Sequence, residues 1–173
     1  AFEKFEYYTM ANHGQWSIVA VPSIAWAKKV FPELKEQAAL DALWAAVLAG
    51  VRIGGNRDAV AEWQAHITRL AENSRKLNTY HFQALHFRHG IGTDLTVGLA
   101  KGHIWEGGSS RADNGAVFVP NMPTEEVFTA PDKCHVNGRV YATKPLNYQG
   151  KMIRDFWFDF RDGKVCAYGA SEG

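Results

Sequence analysis

Phe156-Trp-Phe-Asp-Phe160-Arg-Asp-Gly-Lys164-Val-Cys-Ala167 is the stretch whose reading decides the fold. Phe156, Phe158 and Phe160 recur every second residue, the period of a strand with one face turned to a core. Asp162-Gly163 then separates this run from a second alternating one, Val165 and Ala167. A tight hairpin turn needs positive φ, which Gly supplies without steric penalty, so the stretch reads as a β-hairpin. Upstream, Leu95, Val97 and Leu99 repeat the same alternation, and residues 116–119 form a short apolar run of strand type. Turn residues recur about every eight to twelve positions after Tyr80, which is the pattern of short paired strands. Asn137-Gly138 reads as a further turn of the same kind.

Before Tyr80 the period lengthens to that of a helix. Residues 16–21 are apolar and rich in β-branched side chains, and Pro22 closes them into a short leading strand. Ser23 reads as an N-cap of a helix that stops at Phe31-Pro32, because the residue before proline is pushed out of the helical region. Between residues 33 and 51 the apolar side chains Leu40, Leu43, Trp44, Val47, Leu48 and Val51 lie on one helical stripe, with alanines raising helix propensity. Gly54-Gly55-Asn56 breaks this helix. A third, from about Arg57 to Tyr80, carries Val60, Trp63, Ile67, Leu70 and Leu77 on one side. The fold class is α+β: residues 1–80 form a leading strand and a helical lobe, and residues 81–173 form a mostly antiparallel β-rich region. If the leading strand belongs to a sheet completed by other polypeptide, its edge is exposed here and would pair with a second copy of the chain.

Composition narrows the function. Of 173 residues, 46% are hydrophobic and 21% charged, enough apolar material for a real core and too much for disorder. Nineteen Lys and Arg against eighteen Asp and Glu leave a formal charge of +1, so no whole-chain field favours nucleic acid or an anionic membrane as a partner. The apolar run ending at Pro22 is far shorter than the roughly 20 residues of a spanning helix, and no basic leader precedes it. Cys134 and Cys166 cannot make a disulfide framework, which fits a reducing, cytoplasmic setting. The chain opens at Ala1 and reads as a segment of something longer.

Glu125-Glu126 follows the strand-like residues 116–119 and lies between prolines at 123 and 131. Two readings are open: a solvated turn with both carboxylates in water, or a metal ligand at a strand end, since divalent ions of hard or borderline character take carboxylate oxygen. In extended backbone the two side chains face opposite ways, so one at most enters a given pocket. His81, His86 and His89 do not share a face of any regular element, which argues against a joint zinc site. Cys134-His135 lacks the partners that would complete four ligands. Gly90-Ile-Gly and Trp105-Glu-Gly-Gly match neither the dinucleotide nor the phosphate-loop pattern, and no Gly-x-Ser-x-Gly elbow is present.

Several runs in order resemble a known family: Trp16-Ser-Ile-Val-Ala-Val-Pro22, Ala25-Trp-Ala-Lys-Lys-Val-Phe-Pro32, Gly92-Thr-Asp-Leu-Thr-Val-Gly-Leu99, Gly102-His-Ile-Trp105, Pro120-Asn-Met-Pro-Thr-Glu-Glu-Val-Phe-Thr-Ala-Pro131, Thr143-Lys-Pro-Leu146 and Asp162-Gly-Lys164. Together they resemble the metal-dependent aminopeptidases of the aminopeptidase T, aminopeptidase S and PepS group. The resemblance implies a cytoplasmic exopeptidase that removes N-terminal residues from peptides, works as an enclosed homodimer and uses two divalent ions, zinc, cobalt, manganese or magnesium. It maps one metal ligand to Glu126, with Glu125 as the second choice. The family's other ligands are a second glutamate, a histidine after Glu-Asn-Ala and a His-x-Asp pair, with a catalytic tyrosine nearby. None of these motifs occurs here: no histidine has an Asp two positions on, so the catalytic residues stay unassigned. The implied picture is an internal segment of a two-metal peptidase, inactive alone. The alternative is a binding or assembly module that keeps the scaffold without the catalytic half.

Overall fold

The computed structural model describes residues 2–173. In chain order the helices and first strands are α1 (Phe2–Met10), β1 (Ile18–Val19), α2 (Ile24–Val30), α3 (Glu36–Gly50), α4 (Ala59–Tyr80), β2 (Ala84–His89) and β3 (Thr93–Leu99). Five two-residue strands follow: β4 (Glu106–Gly107), β5 (Ser110–Arg111), β6 (Val117–Phe118), β7 (Asn121–Met122) and β8 (Val127–Phe128). The chain closes with β9 (Pro131–Tyr141), β10 (Leu146–Tyr148), β11 (Lys151–Ile153), β12 (Trp157–Arg161) and β13 (Lys164–Gly169). The architecture is α+β, helical first and β-rich after.

The helix starts follow from local chemistry. The Ser23 hydroxyl accepts from Trp26 N at 3.3 Å and caps α2. The Asp58 carboxylate accepts from Val60 N at 2.9 Å and Ala61 N at 3.2 Å and does the same for α4. α2 and α3 pack through fully buried Ala27 and Ala39, with Leu43 beside them and Phe31, Leu34, Leu40 and Val47 around the cluster. Small side chains let the two helices approach closely. Burial on α3 therefore centres on Ala39 and Leu43, while Trp44 and Leu48 stay exposed. On α4 the buried stripe is Trp63, His66, Leu70 and Ser74, and Val60, placed on it by spacing, is exposed. No described helix is long and apolar enough to cross a membrane.

Contacts divide the chain into two units. The first comprises residues up to Lys76 together with Glu106–Phe128, and the second Leu77–Trp105 together with Thr129–Gly173. The Pro-Thr-Glu-Glu stretch thus shares a unit with the helices rather than with the large sheet. In the first unit β1 pairs in parallel with β7, placing Ile18 opposite Asn121 and Val19 opposite Met122. β4 pairs with β8 and β5 with β6, both antiparallel.

The second unit is built on an antiparallel sheet of order β13-β12-β9-β3-β2, with β10 and β11 as a separate hairpin. Its register places Phe87, Leu95 and Phe160 on one face and Arg88, Asp94, Arg139 and Asp159 on the other. On the polar face the Arg139 guanidinium grips Asp159 through two hydrogen bonds of 2.6 and 2.5 Å and lies 4.2 Å from the Trp157 ring centre. Cross-strand pairs of this kind fix register. The Asp162-Gly163 turn joins β12 to β13 with φ of 49° and 76°, the two positive values of the primed hairpin turn.

Two local expectations differ from the structure. The leading strand expected over residues 16–21 pairs only at Ile18 and Val19, and it is preceded by the helix α1. Asn137-Gly138 is not a turn but lies inside the central strand β9, opposite Leu95 and Phe160. There Gly138 has φ of 111°, and a Cβ at this position would sit 2.1 Å from the Asp94 carbonyl oxygen. The glycine serves close approach of neighbouring backbones, a use of Gly inside strands that the dipeptide alone does not separate from a turn.

Candidate metal-ligand loop

Residues 120–128 are pinned at both ends. Ile18 N donates to Pro120 O at 2.7 Å and β7 pairs with β1. The Met122–Pro123 peptide is cis. At the far end β8 pairs with β4, and Gly107 allows the fit, since a Cβ there would lie 2.5 Å from the Glu126 carbonyl oxygen.

Between these anchors Arg52, just past α3, and His66 on α4 hold the loop from the side. His66 on α4 is only 3% exposed. Arg69 Nη2 donates to its Nδ1 at 3.4 Å, which leaves the ring proton on Nε2, and Nε2–H donates to the Thr124 carbonyl at 2.6 Å. The imidazole also meets the Trp63 ring edge-on at 5.6 Å, and Trp63 Nε1 donates to Val51 O at 2.6 Å, tying α4 to the end of α3. Arg52, just past α3, donates from Nη2 to Glu125 Oε1 at 2.5 Å, while its Nη1 is buried without a hydrogen-bond partner. His66 Nε2 lies 3.7 Å from the other Glu125 oxygen. The hydrogen bond from Arg52 holds the Glu125 carboxyl below the usual carboxylate range, against the opposing effect of desolvation.

Glu126 is held differently. Its side chain is exposed and, among the described residues, has no ion pair or side-chain hydrogen bond. With Glu125 it lines a concavity of about 680 Å³ whose other walls are Ile18, Val19, Ala20 and residues 121–124. Of the two adjacent carboxylates one is committed to arginine and the other is free.

The family model of the thermophilic metalloproteases (M29) matches residues 1–173. The chain belongs to that family. It is 43% identical over 164 residues to aminopeptidase 2 of Geobacillus stearothermophilus, a match covering 95% of this chain and 39% of the relative. It is 44% identical over 158 residues to aminopeptidase T of Thermus aquaticus, covering 91% and 38% respectively. The solved structure of wild-type AmpT from Thermus thermophilus superposes with a TM-score of 0.86 at 37% identity, over 98% of this chain and 41% of that one. This M29 chain therefore spans about two-fifths of the length of the relatives it matches.

Membership in a metalloprotease family implies a divalent metal, and the donors present fit one part of such a site. Glu126 offers unpaired carboxylate oxygen on an anchored loop beside open space, the chemistry hard and borderline divalent ions select. No group of three His, Cys, Asp or Glu among the described residues is arranged to hold an ion. The remaining candidates have other occupations. His86 Nε2 is 2.7 Å from Asp94, and His89 Nδ1 accepts from Ile91 N at 3.3 Å. His135 Nδ1 is 2.7 Å from Asp132, whose other oxygen accepts from Cys134 N at 2.9 Å. Cys134 and Cys166 are both free thiols. Arg52 and His66 escaped sequence reasoning. His66 was hidden on the apolar stripe of α4, and Arg52 sits beside two glycines that announce only a helix end.

Proposed function

We propose that this M29 chain supplies the Glu126 carboxylate to the metal centre of an aminopeptidase whose other ligands come from polypeptide outside these residues. The observation that carries the reading is the contrast within one dipeptide. Glu125 is paired with Arg52, and Glu126 is unpaired at a concave surface. The names of the relatives, all aminopeptidases, support an N-terminal exopeptidase acting on peptides. On this reading the intact protein is a cytoplasmic homodimer that binds two ions drawn from zinc, cobalt, manganese and magnesium. When bound, such ions lower the pKa of coordinated water and polarise a carbonyl. The chain's own contribution is narrower: Glu126 brings negative charge and an oxygen ligand, and the pinned loop fixes where that oxygen sits. A single carboxylate does not hold two ions, so the chain alone binds metal weakly and hydrolyses no peptide.

The test is a chimera in which this chain replaces the matching part of Thermus thermophilus AmpT, assayed on leucine p-nitroanilide with zinc, cobalt or manganese. Glu126→Gln is expected to lower kcat/KM by more than the roughly 10–100-fold seen when an outer-shell partner of a metal ligand is lost. Glu125→Gln is expected to cost less than about tenfold on the same scale. The reading fails if the two variants exchange these behaviours, or if the 173-residue chain alone turns over substrate in a way that Glu126→Gln abolishes.

A further inference from the structure

Arg52 occupies a backbone conformation that side chains seldom take. α3 ends with Arg52 N donating to Ala49 O at 3.1 Å and Ile53 N donating to Leu48 O at 2.8 Å, the paired bonds of a left-handed helix terminus. Arg52 is the left-handed residue, with φ of 61°. Glycine is the customary occupant because any Cβ is crowded there, and Gly54 and Gly55 stand close by in the chain. An arginine in that place keeps a strained backbone, and its side chain has a use. The guanidinium donates to Glu125 at 2.5 Å, and its carbon lies 5.8 Å from the centre of the Trp63 ring. The Arg52 side chain is 20% exposed where that of Glu125 is 64% exposed, so the cation is the fixed partner and the carboxylate the captured one.

We infer that Arg52 is a positioning residue: it ties one oxygen of Glu125 and, with His66 on the Thr124 carbonyl, leaves Glu126 as the unpaired member of the two carboxylates that line the concavity. The inference rests on Glu126 being the ligand. Two neighbouring carboxylates have the same affinity for a hard cation, so without a device to separate them a metal would be shared or would swap between them. Extended backbone turns the two side chains apart, but it does not choose between them. The choice comes from charge: a cation approaching Glu125 meets the Arg52 guanidinium already bonded to Oε1, whereas Glu126 has no such neighbour among the described residues.

The experiment uses the 173-residue chain without metal. Carboxyl groups are coupled to glycine ethyl ester with a carbodiimide, and mass spectrometry reads the rate at Glu125 and at Glu126 separately. In the wild type Glu125 is expected to react about fivefold more slowly, the ratio that corresponds to the upper end for a partly exposed ion pair. Arg52→Gly suits the left-handed backbone, so it retains the fold, and it is expected to bring the two rates within about twofold. Arg52→Lys is expected to restore part of the difference, which a purely structural role at the helix end would not do. Equal rates in the wild type, or a difference that persists in Arg52→Gly, would overturn the inference. Because no metal is present, either failure is distinct from failure of Glu126 as ligand, which the chimera tests by itself.

Discussion

Replacing His66 by leucine tests whether α4 orders the candidate ligand loop. Leucine is close to histidine in size, so the packing against Trp63 survives in volume while both ring nitrogens disappear. The loss has three parts. The Thr124 carbonyl forfeits its 2.6 Å hydrogen bond, Arg69 forfeits its acceptor, and the edge-on contact with Trp63 goes. A lost bond to a partly buried carbonyl costs about 1–2 kcal/mol, and an aromatic pair adds about 0.5–1 kcal/mol. The sum is about 2 kcal/mol, and most of it should fall on the loop, because the lost partner is there. Amide exchange read by mass spectrometry should then show residues 122–127 opening roughly tenfold more often, the factor for about 1.4 kcal/mol, while α2 and α3 change little. Uniform faster exchange over the whole first unit, with no excess in residues 122–127, would refute the idea that His66 acts on the loop rather than on the core.

Other outcomes follow from the sheet and its charges. Gly138→Ala forces a Cβ to within 2.1 Å of the Asp94 carbonyl at a φ that alanine rarely adopts, so β3 and β9 must separate. Urea unfolding is expected to register a loss of about 3 kcal/mol, and a loss under about 0.5 kcal/mol would mean the strands yield without cost. Acid should weaken the protein through its paired carboxylates. Asp94 is held low by its hydrogen bond with His86, Asp132 by the Cys134 amide and then His135, and Asp159 by Arg139. Groups whose folded pKa is depressed contribute stability that is complete above their unfolded value, about 3.9 for aspartate, and lost as pH falls through the folded one. The stability gap between wild type and Asp159→Asn should therefore be constant above about pH 5 and shrink below about pH 4. A gap that does not change over that window would assign the Arg139 contact to packing instead.

Much of the fold could be read from short stretches. Ser23 before an apolar-periodic run and Phe31-Pro32 after it bracket α2 to within a residue, because capping and proline sterics act on the nearest backbone. Asp162-Gly163 located its hairpin for the same reason, since positive φ is a property of the residues themselves. Asn137-Gly138 carries the same local signal and lies in a strand, because there the demand on glycine comes from Asp94, a neighbour across the sheet. The apolar stripes of α3 and α4 gave helices correctly but misjudged which side chains are covered, as Trp44, Leu48 and Val60 are exposed and His66 is buried.

The candidate site divides along the same line. Its residue types and the family motif were visible in Pro-Thr-Glu-Glu-Val-Phe, and local physics could add only that the two glutamates face apart. Which of them is free was decided by Arg52, which precedes Glu125 by 73 positions, and by His66, 58 positions before Thr124. Such partners leave no periodic trace in a sequence, because a single charge-assisted contact depends on where the helix end and the loop meet in space. The chain by itself determined α2, α3, α4, the Asp162-Gly163 hairpin and the family; the meeting of Arg52 and His66 with the loop determined which carboxylate is left unpaired.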